Sequence, residues 1–279
     1  MTEALDPFKI RAHVADFETI AQNYQVMSDA ARASIRNIPD IAYGTHPDER
    51  LDLLLPETID QPLPVHIFIH GGYWRANCKE DYAFVAEAVT SAGAIAAIIE
   101  YTLMPKVRMA VIIEQVRRAA NWLNANIADH GGDPSKMSAS GHSAGAHLAS
   151  YLAAKGPYET KLLKTRIRSL LLISGIYQLQ PITQSFLQPE IMLTAAEVER
   201  WSPLDAKLEP DVSLTLAVGS DETEPFHKQA EDYATLLTAH GTRTRRFVLP
   251  ALNHMTIING LGDRQSSLAG LLAETIARS

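Results

Sequence analysis

The chain has 279 residues, 46% apolar and 20% charged, which suffices for a sizeable globular core. A net charge of −7 argues against a nucleic-acid partner, because no Lys/Arg block is present to neutralise phosphates. Cys78 is the sole cysteine, so no intrachain disulfide or thiolate metal cluster can form, and a reducing cytoplasm is the expected compartment.

The N-terminal stretch, residues 1–16, scatters acids among its apolar residues and lacks the uninterrupted apolar core of a signal peptide. No apolar run approaches the roughly 18 residues needed to span a membrane. Residues 1–40 read as surface helix and loop, with Tyr24 and Ile35 as anchors onto the body. Residues 51–55 and 65–70 follow as strands, with a short Pro-rich connection that suggests an antiparallel pair. The second of them runs into His70-Gly71-Gly72-Tyr73-Trp74. A Gly-Gly turn after a strand can aim backbone N–H groups at a negative oxygen.

A helix is predicted over 79–92, and a strand over 94–101 whose unbroken apolar run implies burial on both faces of a sheet. An amphipathic helix over 109–130 ends at Gly131-Gly132 and the turn-forming Asp133-Pro134. A short strand, 136–141, then leads into Gly141-His142-Ser143-Ala144-Gly145, followed by small, helix-forming residues. A G-x-S-x-G in that setting lifts a serine hydroxyl out of a sharp strand-to-helix turn, with a helix N-terminus behind it. Alone it is a weak signal, but the upstream His-Gly-Gly loop makes it specific.

Strands are expected at 167–174, 213–218 and 245–249, and helices at 226–240 and from about 268 onward. Such alternation predicts an α/β fold with a mostly parallel twisted sheet, covered by helices on both faces, in a single domain. Residues 175–205 break the rhythm with several prolines and two short helical pieces, one of them 194–201, and are expected to form a small cap over the site.

A serine becomes a nucleophile only beside a base. His254, on the loop after the last strand, is placed at the same sheet edge as Ser143, whereas His227 and His240 belong to a helix. His142 is expected to line the pocket and His147 to pack in the core. The acid that orients the histidine should follow the preceding strand, where Asp221 and Glu222 are both candidates. Glu224, next to Pro225, reads as a helix entrance. The N–H groups of Gly72, Tyr73 and Ala144 are the expected oxyanion donors. The loss of one such donor typically costs roughly 100- to 1000-fold in turnover. No H-E-x-x-H, P-loop or dinucleotide fingerprint occurs, so no cofactor or metal is expected. Cys78 has no base placed to activate it.

At this point the chain resembles the α/β-hydrolase superfamily and, within it, the bacterial kynurenine formamidase (arylformamidase)-like group, over nearly its whole length. The segment 70–74 is similar to that group's H-G-G-x-W loop, and 141–145 to its G-H-S-A-G elbow. Tyr101-x-Leu103-x-Pro105 is shared with esterases. The resemblance of 218–229 to V-G-x-x-[DE] followed by F-x-x-Q, through Gly219, Phe226 and Gln229, places Glu222 at the acid position, where many relatives carry Asp. Asn253-His254 is similar to the group's histidine loop. The resemblance implies a catalytic set of Ser143, Glu222 and His254 acting on a small-molecule substrate, with N-formylkynurenine the best single expectation.

Trp74 is expected beside Tyr73, the two rings narrowing the acyl side while offering an aromatic wall to the leaving group, and Tyr177 is expected in the same pocket. The competing readings are a carboxylesterase for small esters, a hydrolase of another formamide or enamide, and a non-enzymatic receptor on the same fold. Homo-oligomerisation is left open.

Overall fold

The computed structural model describes residues 5–160, 165 and 167–279. The first four residues of the predicted N-terminal segment lie outside the described residues. One eight-stranded sheet organises the chain: β1 (Arg36–Ala42), β2 (Arg50–Leu55), β3 (Leu63–Ile69), β4 (Ile95–Ile99), β5 (Gly132–His142), β6 (Ser169–Ile173), β7 (Ser213–Gly219) and β8 (Arg243–Leu249). Their spatial order is β1-β2-β4-β3-β5-β6-β7-β8. The pairs from β4 through β8 are parallel, while β2 runs antiparallel to both β1 and β4.

The unbroken apolar run of β4 serves two cores. Ile95, Ala97 and Ile99 fall into one, with helices α2 (Met109–Asn126), α3 (Ala144–Ser150) and α5 (Glu224–Ala239). Ala96 and Ile98 fall into the other, with residues 83–89 and helix α6 (Ser267–Ala277). Side chains alternate across a strand, so only a sheet covered on both faces keeps all five buried.

Three expectations need correction. The 1–40 segment does contain a helix, α1 (Phe17–Ser34), but Arg36–Ala42 is a strand, not loop. Pro39 and Asp40 disguise it, as neither suits a strand interior. They are tolerated because β1 is a sheet edge with a bulge between Ile38 and Ile41, where Asp40 takes φ 58° and its N–H donates to Asp52 Oδ1 at 2.8 Å. The strands 51–55 and 65–70 do run in opposite directions, but they do not pair, because β4 inserts between them. Within the helix predicted over 79–92, Lys79–Val85 is 3₁₀ and only Ala86–Ser91 is α-helical. In the 175–205 segment, helix α4 (Ala195–Trp201) starts at a Thr194/Glu197 capping box.

Three buried histidines are held neutral. His66 bridges Ser138 Oγ and Ser140 Oγ at 2.8 and 2.7 Å, and burial lowers its pKa to about 3. Burial likewise lowers His147 to about 4 and His142 well below the usual range. The unfolded chain therefore binds protons that the native state refuses as pH falls below about 6.5. Stability should fall on acidification from there toward pH 4, by about 1.4 kcal/mol per pH unit for each such histidine at full effect. Urea midpoints between pH 8 and pH 5 test this, and a flat profile would contradict it.

Candidate active site

The chain segments that follow β3, β5, β6 and β8 meet in one cavity of about 690 Å³, whose wall includes Gly72, Tyr73, His142, Ser143, Phe186 and His254. Ser143 sits between β5 and α3 at φ 56°, ψ −119°, a left-handed conformation costly for a residue with a side chain. The turn is this sharp because its two glycines allow it. A Cβ on Gly141 would lie 2.2 Å from the Gly145 carbonyl oxygen, and one on Gly145 2.0 Å from that of Ile69. The Ser143 N–H donates to the Ile173 carbonyl at 2.8 Å, which ties the elbow to β6. Ala144, at the first helical position, has an N–H without an intrahelical acceptor.

The loop after β3 lies against this elbow; a Cβ on Gly71 would come within 2.8 Å of the His142 carbonyl oxygen. Gly72, Tyr73 and Trp74 all take positive φ, at 106°, 51° and 59°. The Gly72 carbonyl accepts the N–H groups of Arg75 and Ala76 at 3.0 Å each, closing a tight turn. No protein acceptor engages the N–H of Gly72, Tyr73 or Ala144 among the described residues.

His254 is 4% exposed, and its Nδ1 donates to Glu222 Oε2 at 2.7 Å. That leaves Nε2 as the unprotonated nitrogen. Glu222 Oε1 accepts Ser174 Oγ–H at 2.5 Å and the Gly219 N–H at 2.8 Å, so the carboxylate is held at both oxygens. Asp221, the other acid candidate, is exposed and accepts from Ser220 Oγ at 2.7 Å. The Asn253 side chain accepts the N–H groups of Met255 and Thr256 at 2.9 and 3.0 Å, fixing the histidine loop from within. His142 Nε2 donates to the His254 carbonyl at 2.9 Å, and burial holds its pKa well below the usual range, which keeps the ring neutral. Ser143 and His254 face the same cavity without a hydrogen bond between them. In ligand-free hydrolases this contact is commonly loose and tightens around substrate.

Two expected pocket residues are elsewhere. Trp74 is fully buried and donates Nε1–H to His147 Nδ1 at 3.2 Å, because its left-handed φ turns the ring into the core beneath the loop. Tyr177 is also fully buried, stacked on Tyr233 at 4.4 Å, with its N–H on Gln229 Oε1 at 2.7 Å. Tyr73 and His142 do line the cavity, and the 175–205 segment contributes Phe186 and Glu190 to it.

Sequence reasoning missed the part played by the N-terminal segment. Lys9, Ile10, Arg11, Phe17 and Tyr24 form part of the cavity wall. Residues 6–8 strap three loops together. The Phe8 carbonyl accepts Tyr73 Oη–H at 2.6 Å, Asp6 Oδ2 accepts the Phe186 N–H at 2.6 Å, and the Pro7 carbonyl accepts Thr223 Oγ1–H at 2.8 Å. Phe226, noted only as a motif position, packs its ring 4.1 Å from that of His254. Ser174 carried no signal beyond its place at the end of a strand.

Cys78, Glu80 and Glu100 place ligating atoms within 4.8 Å of one another. Those acids are otherwise engaged. Glu100 accepts from the Lys79 and Tyr101 N–H groups and meets His70 Nε2 at 3.0 Å, while Glu80 pairs with Lys79. Burial and the neighbouring acids push the Cys78 thiol up to about 12, so it is no thiolate nucleophile.

An antiparallel-edged parallel sheet with a serine elbow at its carboxyl edge defines the α/β-hydrolase fold, and the chain is a serine hydrolase. Crystal structures of a proposed thioesterase from Silicibacter sp. (TM-score 0.84, 24% identity, 97% of each chain) and an esterase from Pyrobaculum calidifontis (TM-score 0.73, 17% identity, 98% of this chain and 92% of that one) share the fold. The family model described as BD-FAE matches residues 51–182. The kynurenine formamidase of Danio rerio is 30% identical over 275 residues, 97% of this chain and 90% of the fish protein. The chain belongs to the kynurenine formamidase family. Among the described residues, no helix is long and apolar enough to cross a membrane.

Proposed function

We propose that this enzyme opens the C–N bond of a small N-formyl amide, with N-formylkynurenine as its substrate, and that Ser143, His254 and Glu222 are its catalytic triad. The observation carrying this reading is the doubly held Glu222–His254 pair, 2.7 Å apart, on the cavity that Ser143 also lines. Ser143 Oγ attacks the formyl carbon as His254 Nε2 takes its proton. The N–H groups of Gly72, Tyr73 and Ala144 receive the resulting oxyanion. His254 then protonates the departing nitrogen, which an amine requires and an activated alcohol does not. Water, deprotonated by His254 Nε2, then attacks the formyl-serine and releases formate, and the imidazolium returns its proton to Ser143 Oγ.

Tyr73 carries the preference for a small acyl group. Its hydroxyl is tethered to Phe8, so the ring cannot swing aside for a longer chain. Among formyl, acetyl and butyryl esters of one phenol, the formyl ester should show the highest kcat/KM, at least about tenfold above butyryl, the energy of roughly one or two methylenes refused. Faster butyryl turnover would overturn the reading. The fold shared with the Pyrobaculum esterase favours a carboxylesterase as the second reading. Side-by-side kinetics on N-formylkynurenine and a p-nitrophenyl ester separate the two. The single cysteine supports a reducing, cytoplasmic setting.

A further inference from the structure

The cavity is cationic in a chain that is not. The protein carries a net charge of −7, yet the charged residues on the cavity wall are Lys9, Arg11 and Arg75 against Asp81 and Glu190. Several of these are already committed. Arg11 pairs with Glu18 at 2.5 Å, and Asp81 accepts the Cys78 N–H at 3.2 Å. Lys9 has no ion-pair partner among the described residues.

Arg75 is the best placed of the cations. It follows the turn that presents the Gly72 and Tyr73 N–H groups, its Nη1 meets Glu190 at 2.7 Å, and its guanidinium lies 5.9 Å over the Phe186 ring. That one acceptor engages one arm of a five-donor fork, and the buried Nε–H has no partner among the described residues. A guanidinium steadied from one side by a carboxylate and an aromatic face is prepared for a second, bidentate anion.

We propose that Arg75 is a specificity-determining residue, selecting substrates whose leaving group carries a carboxylate, with Glu190 as the internal anion that such a substrate displaces or shares. The inference rests on the serine-hydrolase reading of the same cavity.

The test uses an isosteric pair, 4-formamidophenylacetate and 4-formamidophenylacetamide, which differ only in charge at the far end of the leaving amine. In the wild type the anion should show about tenfold higher kcat/KM, carried by KM, and the ratio should shrink toward about 0.5 M NaCl as the charges are screened. Arg75→Gln should bring the ratio close to one, Arg75→Lys should restore part of it, and Glu190→Gln should raise it by removing the competing anion. A wild-type ratio at or below one, or a ratio unchanged in Arg75→Gln, overturns the proposal. The corresponding phenyl formate esters form a second arm. If the formamides are inert but the esters turn over, the formamidase reading fails while the ester pair still reads the charge preference. A flat ester ratio then sinks the Arg75 assignment by itself.

Discussion

Ser143→Ala is expected to lower kcat by about 10⁵- to 10⁶-fold, the scale set by removing the nucleophile from a serine hydrolase. The variant should remain folded, since the backbone N–H to Ile173 and the flanking glycines, not the hydroxyl, hold the elbow. Substrate affinity should survive, because the proposed oxyanion donors and the cavity wall are untouched. Single-turnover kinetics, with circular dichroism as the fold control, provide the check. A fluorophosphonate probe should label the wild type and not the variant. Residual activity within tenfold of wild type would mean that another group performs the attack.

Glu222→Gln should cost about 10⁴-fold in kcat, for a reason visible in the hydrogen bonds. Ser174 Oγ–H and the Gly219 N–H both donate to Oε1, so a glutamine would keep its carbonyl oxygen there. Its amide NH₂ would then face His254 Nδ1 and force the ring proton onto Nε2. In that tautomer the imidazole cannot accept the serine proton. Asp221→Asn, at an exposed carboxylate bonded to its neighbour Ser220, should change kcat by less than about twofold, as surface substitutions do. Comparable losses in the two variants would return the acid assignment to an open question. A pH–rate profile adds a readout that simple destabilisation would not move, since the ionisation seen in kcat/KM should be displaced only in Glu222→Gln.

What could be read from the chain alone is what local sterics and periodicity dictate. A G-x-S-x-G after an apolar run demands a turn that only glycine permits at two positions, and those positions here would clash at 2.2 and 2.0 Å with any side chain. The five buried residues of β4 announce a two-sided sheet because water excluded from both faces leaves no place for a polar residue. The loop bearing His254 follows a strand by sequence order, so its edge of the sheet was legible too. Physical reading alone left Asp221 and Glu222 equivalent, as both follow β7 within three residues of Gly219.

Tertiary structure decided the rest, because it depends on contacts between residues far apart in the chain. Glu222 is the carboxylate beside the histidine because Ser174, 48 residues away, and the Gly219 N–H turn it inward. Trp74 and Tyr177 look like pocket aromatics in one dimension. In three dimensions their burial against His147 and Tyr233 yields more than an exposed wall position would. The strap of residues 6–8 joins partners 65, 180 and 216 residues away, a pairing with no periodic signature. Composition and spacing thus determined the scaffold and the sharp turn at Ser143. Which side chains line the cavity was decided only where the N-terminal segment packs over the carboxyl edge of the sheet, where satisfying its donors and acceptors outweighed leaving that edge open to water.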